Sequence, residues 1–215
     1  AFLSPLIKQN KSIGFVPTMG ALHQGHLSLL KNSLSENDVT VMSIFVNPTQ
    51  FNNAEDLDKY PRTLERDVQI MQDLSNNIIV YAPEVADIYE GNTISESFNY
   101  DGLENQMEGK HRPGHFDGVG TIVKRLFEIV QPNKAYFGEK DFQQLQIVKK
   151  LVSKYNIPVD VIGCPIHREA NGLAMSSRNE RLSESAREKA AIIYQILNSA
   201  KEIFQTNSAE QTIKF

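Results

Sequence analysis

The sequence predicts an α/β fold in which a parallel sheet is wound with crossover helices. Short runs of apolar and β-branched residues, most of them bounded by Gly, Pro or Asn, recur along the chain and predict strands. Stretches with apolar residues at helical spacing lie between these runs and predict helices. Because strand and helix alternate over most of the chain, we expect ligands to bind outside the carboxyl ends of the strands.

The predicted elements follow a regular order. The strands are expected at residues 12–16, 39–46, 77–82, 135–137 and 159–164. The helices are marked by Leu27, Leu30 and Leu34, by Leu64, Val68 and Met71, by Ile122, Leu126 and Ile129, and by Leu145, Val148 and Val152. After residue 165 the chain becomes polar, and Ser183 or Ser185 is expected to cap one long amphipathic helix. We therefore predict a main domain over residues 1–174 and the start of a second domain over residues 175–215.

Composition limits the classes of function. The 215 residues include 22 Lys and Arg against 26 Asp and Glu, which gives a net charge of −4. Binding to the phosphate backbone of nucleic acids needs a basic face, so no nucleic-acid partner is expected. No apolar stretch is long enough to cross a bilayer, and the first residues lack the charged and then apolar pattern of a secretory signal peptide. Neither membrane binding nor export is therefore expected.

The single cysteine and the two chain ends carry further expectations. Cys164 cannot form an internal disulfide, which favours a reducing compartment, and a cytoplasmic location is expected. The chain starts without Met and stops in a polar stretch, so we expect it to be a piece of a longer protein.

The densest chemical signal directly follows the first predicted strand. It reads Pro17, Thr18, Met19, Gly20, Ala21, Leu22, His23, Gln24, Gly25 and His26. Gly20 favours a sharp turn, and Gly25 removes a side chain where a nucleotide could approach the backbone. His23 and His26 project from one face of a first helical turn, whose N–H groups and dipole favour phosphate. The same helix end disfavours imidazole protonation, so we expect both histidines to act as hydrogen-bond donors.

Taken alone, two histidines at this spacing have other interpretations. A capped helix start with two surface histidines is the more common case, and a zinc-binding pair is another. Zinc needs a third protein ligand, and no Glu or Cys lies nearby in the sequence. The position after the first strand favours nucleotide binding.

Four segments in the same order resemble the pantothenate synthetase family of the nucleotidylyltransferase superfamily. Residues 17–26 resemble the H-x-G-H signature of that superfamily, and residues 16–23 resemble pantothenate synthetases in particular. The other three segments are residues 43–51, 136–145 and 172–179, so the match runs over essentially the whole chain. The resemblance implies a Rossmann-like doubly wound parallel sheet, shared with class I aminoacyl-tRNA synthetases, and a small, incomplete C-terminal α/β lid domain.

The resemblance also implies an ATP site. Its catalytic residues are expected to be His23, His26, Lys140, Ser176, Ser177 and Arg178. The expected ATP contacts are Pro17, Thr18, Met19, Gly20, Ala21, Leu22, His23, Gly25, His26, Gly138, Glu139, Lys140, Asp141, His167, Met175, Ser176, Ser177 and Arg178. Relatives often carry Val at position 167, so His167 is expected to contact ATP through its backbone.

Two of these segments also have an interpretation from their own residues. Residues 138–141 stand where a strand passes into a helix, with Asp141 suited to an N-cap and Lys140 bringing a positive charge. Residues 176–178 place two hydroxyls and a guanidinium in a row, which suits the oxygens of departing pyrophosphate. Without the resemblance, residues 138–141 are about equally well explained as a solvated capping loop. Residues 176–178 also fit an interdomain linker that ends in a helix cap, and both interpretations can hold together.

Amide side chains follow the second predicted strand. Asn47 and Gln50 stand at the sheet edge where ligands bind, and an amide can both donate to and accept from a small hydroxy acid. Turn chemistry at Asn47 and Pro48 is the alternative. The resemblance implies that Gln50 holds pantoate, and it extends that role to Gln144.

One loop and one group of acidic residues receive no firm role. Residues 109–116 form a basic loop that resembles a family segment near the substrates or the subunit interface, and is otherwise a plain surface loop. Metal ligands stay unknown, since exposed carboxylates are usually only solvated. The acidic residues considered for magnesium are Glu55, Asp56, Asp58, Glu65 and Asp67.

The resemblance implies an ATP-dependent ligase that adenylates D-pantoate and transfers the pantoyl group to β-alanine. ATP is the expected co-substrate, Mg²⁺ the expected cofactor and a homodimer the expected assembly. Two alternatives stay open. Another H-x-G-H adenylyl or cytidylyl transferase would keep the nucleotide on its product, and a nucleotide-binding module would keep the fold without turnover.

Overall fold

Five parallel strands form one sheet in the computed structural model of this chain, which describes residues 2–214. The strands are β1 Ile13–Thr18, β2 Val39–Ile44, β3 Ile78–Tyr81, β4 Lys134–Gly138 and β5 Asp160–Cys164. They lie in the order β3-β2-β1-β4-β5, and every neighbouring pair is parallel. All five predicted strands are confirmed with small shifts at their ends, and so is the α/β fold class.

Helices connect the strands and cover the sheet. They are α1 Ser4–Lys8, α2 Gln24–Glu36, α3 Ala54–Asp58, α4 Leu64–Leu74, α5 Val85–Tyr89, α6 Met107–His111, α7 His115–Val130, α8 Phe142–Lys154, α9 Glu184–Ala190, α10 Ile192–Phe204 and α11 Ala209–Ile213. The four predicted helical stretches lie within α2, α4, α7 and α8. Within residues 2–214, no helix combines the length and apolar character that a membrane span requires.

The two faces of the sheet carry two separate apolar clusters. Successive strand residues point to opposite faces, so Phe15 of β1 packs in one cluster and Val16 packs in the other. The Phe15 face is covered by apolar residues of α7 and α8, and the Val16 face is covered by those of α2 and α4. Both faces of the central strands are therefore buried, as is usual for a parallel sheet.

The strand order reverses direction at the centre of the sheet. From β1 the chain builds outward through β2 to β3, and it then crosses to the other side of β1 to form β4 and β5. The carboxyl ends of β1 and β4 thus lie side by side with their following segments diverging, an arrangement that opens a crevice in doubly wound sheets. Thr18 and Gly138, which end these two strands, mark the position of that crevice.

The C-terminal region differs from the prediction of one long helix. Ser183 caps the region as expected, since its side chain accepts from the Ala186 N–H at 3.3 Å. The helix is then divided at Ala191 into α9 and α10. The predicted apolar stripe is largely exposed here, with Ile193 and Leu197 each 57% accessible. The domain boundary at residues 174 and 175 stays a prediction.

Candidate active site

A cleft lies outside the carboxyl ends of β1 and β4, at the crevice that the strand order creates. Its walls are formed by segments that follow β1, β2, β4 and β5, by residues of the 108–126 stretch, which includes part of α7, and by residues 175–178. The predicted site residues that line it are Pro17, Thr18, Met19, His23, Gly25, His26, Asn47, Gln50, Gly138, Lys140, Asp141, Gln144, His167, Met175, Ser176, Ser177 and Arg178. The fold thus brings together segments that lie more than 100 residues apart in the chain.

Four predicted ATP contacts do not line the cleft: Gly20, Ala21, Leu22 and Glu139. Leu22 is only 4% exposed and packs into the apolar cluster beneath α2. Gly20 and Ala21 form the back of the turn that follows β1. The side chain of Glu139 lies against β5 beside Gly163. For these four residues, the structure supports a role in shaping the turns and not a side-chain contact with a ligand of the cleft.

The two histidines form a closed capping arrangement at the start of α2. The His23 Nδ1 accepts from the Gly25 N–H at 3.1 Å, and the His26 Nδ1 accepts from the His23 N–H at 3.2 Å. Their ring centroids lie 4.1 Å apart. Because both Nδ1 atoms are acceptors, each neutral ring carries its proton on Nε2. This arrangement leaves an Nε2–H donor on each imidazole for a ligand of the cleft.

Both imidazoles resist protonation. Burial, followed by the nearby charges of His23 and Lys140, lowers the pKa of His26 to about 3. Burial, followed by Lys140 and His167, also lowers the pKa of His23. The lowered pKa of both rings agrees in direction with the prediction, but its largest cause is burial, which the sequence did not indicate. Neutral rings at physiological pH suit hydrogen-bond donation to phosphate oxygens rather than ion pairing.

The low pKa of His26 predicts a pH dependence of folding stability. The unfolded chain takes up a proton near pH 6.5 and the folded chain only near pH 3, so the unfolded state binds more protons between these values. We expect the free energy of unfolding to decrease as the pH falls from about 6.5 towards 3. Urea titrations at several pH values should show a shallower decrease for His26→Asn, because asparagine does not titrate. Equal slopes for both proteins would contradict this assignment.

Gly25 also meets a packing requirement that the sequence did not indicate. A Cβ at this position would lie 2.9 Å from two atoms of the His23 ring. The absent side chain therefore makes room for the His23 imidazole at the helix start, which is a packing requirement inside the protein itself.

Two cationic side chains, Lys140 and Arg178, line the cleft. Lys140 follows β4, and its Nζ lies 3.0 Å from the Asp141 carboxylate. Arg178 donates to Asp56 at 2.8 Å, and its guanidinium lies 5.3 Å from the centre of the Tyr60 ring. Both cations are at least one-third exposed, so these ion pairs are weak and open to exchange with a bound anion.

The Ser-Ser-Arg segment is tied to the turn that follows β1. Ser177 is 7% exposed, and its Oγ donates to the Ala21 carbonyl at 3.1 Å. The Ser176 Oγ accepts from the Arg178 N–H and begins a short 3-10 helix, Ser177–Arg181. Ser176 is thus the more accessible of the two hydroxyls, and Ser177 joins two walls of the cleft.

Asn47 and Gln50 also line the cleft, around the short 3-10 helix Pro48–Gln50. Asn47 is 1% exposed, and its amide donates to the Gly118 carbonyl at 3.1 Å and to the Gln50 Oε1 at 3.3 Å. Its Oδ1 accepts from the hydroxyls of Thr49 and Tyr89. All polar atoms of Asn47 are therefore used within the protein, whereas the Gln50 Nε2 contacts only the weak acceptor Met19 Sδ, at 3.1 Å.

Arg112 and His115 also line the cleft, and both lie in the 109–116 loop that received no firm role from the sequence. The His115 Nδ1 donates to the Gln50 carbonyl at 2.8 Å, and the Arg112 guanidinium donates to the same oxygen at 3.1 Å. Burial is the main cause that lowers the pKa of His115. The Gly- and Pro-punctuated basic loop was the available signal, but such loops are also common at plain surfaces.

The described residues do not form a preassembled metal site. Within residues 2–214, no group of three or more His, Cys, Asp or Glu side chains is arranged to hold a metal ion. Of the acidic residues considered for magnesium, Asp56 is paired with Arg178 and Arg181, and Asp67 is fully buried.

Comparisons with known proteins agree with this geometry. A sequence model of the family described as Pantoate-beta-alanine ligase matches residues 1–214. A pantothenate synthetase from Flavobacterium psychrophilum is 68% identical over 214 residues, which cover 100% of this chain and 76% of that protein. A pantothenate synthetase from Christiangramia forsetii is 56% identical over 94% of this chain and 71% of its own length.

Solved structures show the same relationship. The pantothenate synthetase of Thermus thermophilus superposes with a TM-score of 0.89 at 45% identity, over 94% of this chain and 74% of that one. The pantoate-beta-alanine ligase of Francisella tularensis, complexed with beta-gamma ATP and beta-alanine, superposes with a TM-score of 0.83 at 46% identity. The match covers 88% of this chain and 72% of that one. A tryptophanyl-tRNA synthetase from Campylobacter jejuni shares the fold alone, with a TM-score of 0.51 at 12% identity. With the family model spanning nearly every residue and the cleft assembled where the fold predicts a ligand, this chain belongs to the pantoate-beta-alanine ligase family.

Proposed function

We propose that this chain catalyses the ATP-dependent condensation of D-pantoate with β-alanine through a pantoyl adenylate, releasing AMP and pyrophosphate. One observation carries the proposal: hydrogen-bond donors and cations from residues 23–26, 140 and 176–178 line a single cleft. These groups suit a triphosphate, and the related Francisella enzyme is described in complex with beta-gamma ATP and beta-alanine.

In the first half-reaction, a pantoate carboxylate oxygen attacks the α-phosphorus of ATP. The bond to the β-phosphate oxygen breaks, and pyrophosphate leaves with the bonding electron pair. We assign the Nε2–H groups of His23 and His26 to phosphate oxygens of ATP, where neutral donors stabilise charge as it develops. Lys140, Ser176 and Arg178 are assigned to the departing pyrophosphate, since phosphoryl transfer depends mainly on positioning and charge neutralisation.

Gln50 and Gln144 are assigned to pantoate. Both side chains line the cleft, and an amide can meet the hydroxyls and the carboxylate of pantoate. Asn47 receives a supporting role, because its own amide holds the Gln50 side chain and α7. Arg112 and His115 donate to the Gln50 carbonyl and fix the backbone of the same short 3-10 helix.

In the second half-reaction, the β-alanine amine attacks the acyl carbon of the adenylate. The bond from that carbon to the phosphate oxygen breaks, AMP leaves, and the amine loses a proton. Excluding water at this stage protects the mixed anhydride from hydrolysis. We assign that shielding to residues 175–178 and to the lid domain that they begin, a domain assignment that is also part of the proposal.

Three finer assignments complete the proposal. Mg²⁺ is expected to enter on ATP and to be held mainly by phosphate oxygens, as is common for this ion, and no step is assigned to a protein-bound metal. The family resemblance implies a homodimer, which sedimentation analysis would test. A cytoplasmic location fits the use of ATP and the free, buried Cys164.

Isotope exchange between ATP and pyrophosphate tests the first half-reaction directly. D-Pantoate alone is expected to support exchange, and a panel of other small hydroxy acids is not. Subsequent addition of β-alanine should yield AMP and pantothenate in equal amounts. Exchange supported by a different acid, or a product that retains the nucleotide, would favour another H-x-G-H transferase. ATP binding without any exchange would favour a binding module.

Gly118 of α7 links the packing of the fold to pantoate binding. A Cβ there would lie 2.5 Å from the Thr49 carbonyl oxygen and 2.8 Å from the Gln50 Cα. We expect Gly118→Ala to displace the 3-10 helix, to lower the free energy of unfolding by about 1–3 kcal/mol and to raise the KM for D-pantoate. Denaturant titration and steady-state kinetics measure both effects. The matched control is Glu128→Ala, an exposed position on the same helix, and equal behaviour of the two variants would refute the expectation.

A further inference from the structure

Asp67 is a fully buried carboxylate in the first turn of α4. Among the described residues, its hydrogen-bond donors are uncharged: the Leu22 N–H at 2.8 Å, the Ala21 N–H at 2.9 Å and the Thr63 hydroxyl at 3.2 Å. A buried charge without a cationic partner is costly unless several donors satisfy it. The three donors offset this cost, and they also fix the position of the carboxylate.

The two N–H groups belong to the turn that follows β1. Gly20 and Ala21 both have left-handed backbone conformations, with φ angles of 85° and 52°. In this conformation the N–H groups of Ala21 and Leu22 both face the Asp67 carboxylate, the first donating to Oδ2 and the second to Oδ1, and successive N–H groups of this kind bind anions. For Ala21 the conformation costs about 1–2 kcal/mol. The Asp67 carboxylate offsets this cost by accepting both N–H groups.

The catalytic imidazoles follow this turn without a break. His23 is the next residue after Leu22, and its N–H is the donor that orients the His26 ring. The same turn also contacts residues 176–178, because the Ala21 carbonyl accepts a hydrogen bond from the Ser177 hydroxyl. The peptide held by Asp67 is therefore joined both to the two histidines and to the segment that carries Arg178.

We propose that Asp67 is a positioning residue for the ATP half of the site, an inference that rests on the proposed function. Its carboxylate holds the turn at Ala21 and Leu22 and thereby sets the orientation of His26. It has no contact with substrate of its own, since it is fully buried behind the turn. In the sequence, Asp67 was only one of several acidic residues considered for magnesium. The structure gives its carboxylate a different role, which is to hold the turn after β1.

Asp67→Asn tests the proposal with almost no change in shape. The amide keeps one acceptor, but its NH₂ group then faces one of the two backbone N–H groups. We expect kcat for pantoate-dependent exchange to fall about 10- to 100-fold, because small misplacement of reacting groups has large effects on rate. The KM for D-pantoate should change less than about twofold, because among the described residues neither Gln50 nor Gln144 hydrogen-bonds to Asp67 or to the peptide that it holds.

Imidazole NMR supplies a readout that a purely structural role would not change. In long-range ¹H–¹⁵N spectra at pH 8, wild-type His26 is expected as the Nε2–H tautomer, and Asp67→Asn should shift it towards a mixture. His115, held by the Gln50 carbonyl, should not change. The matched control is Asp73→Asn, on the exposed side of α4, where the carboxylate accepts from Gln69. Wild-type kcat together with an unchanged His26 signal in folded Asp67→Asn would overturn the proposal.

A second variant covers the case in which Asp67→Asn does not fold. Adding Ala21→Gly removes the strain at the left-handed position and favours recovery of the fold. Recovered folding with low kcat supports the proposal, and recovered folding with full kcat overturns it. If wild-type protein shows no pantoate-dependent exchange, the proposed function fails, and the His26 spectrum still decides whether Asp67 positions the ring.

Discussion

Replacing His26 by asparagine is expected to lower the pantoate-dependent exchange rate by about 10²- to 10³-fold, the usual effect of losing one preorganised donor at a developing charge. The asparagine Oδ1 can take the place of Nδ1 and still accept from the His23 N–H, so the helix cap is kept. The Nε2–H, by contrast, is lost. Steady-state exchange kinetics and thermal unfolding, measured on the same preparation, separate the two effects.

His111→Asn serves as the control, since His111 is an exposed histidine of α6 that does not line the cleft. It should leave both activity and melting temperature unchanged. A large fall in melting temperature for His26→Asn with ordinary residual activity would mean that His26 is a structural residue only.

Replacing Lys140 by methionine is expected to lower the same rate by about 10- to 100-fold, which corresponds to losing a charge-assisted contact of about 1.5–3 kcal/mol. Methionine keeps much of the apolar stem and removes the ammonium group. The partner of Lys140 is the exposed neighbouring carboxylate of Asp141, so folding stability should change little. The loss should appear in both kcat and the KM for ATP, because the ammonium is assigned to the phosphates.

A lysine elsewhere in the same chain provides the comparison. Lys150 also forms an exposed ion pair, with Asp101, but it lies outside the cleft. Lys150→Met is expected to behave as wild type. If both methionine variants lose activity equally, the effect arises from net charge and not from a phosphate contact at residue 140.

The fold was largely predictable because apolar periodicity is a local property. Strands and helices leave period-two and helical patterns that can be read from neighbouring residues, and all five strands were found in this way. The division at Ala191 could not be predicted, because an alanine-rich stretch favours helix on both sides of the break. The exposure of Ile193 and Leu197 could not be predicted either. An apolar helix face is buried only where another part of the protein packs against it, and the helix's own sequence does not show this.

The site was predictable only where a motif is continuous in sequence. Residues 17–26 indicated a phosphate-binding turn from their position after β1, and the structure places both histidines in the cleft. Asp67 looked like part of an acidic solvated face, because its contact with Ala21 spans 46 residues and leaves no periodic signal. The ion pair of Asp56 with Arg178 spans 122 residues and was hidden for the same reason.

The position of β1 at the middle of the sheet has a consequence for how the chain matures. During synthesis from the amino end, β1 can pair with β2 once residue 44 has emerged, but its other neighbour is complete only at residue 138. Until then one edge of β1 presents unsatisfied backbone groups, which are prone to wrong pairing. The crevice between β1 and β4 cannot form before this late partner arrives, so a nascent chain completes one side of its sheet first and its cleft only afterwards.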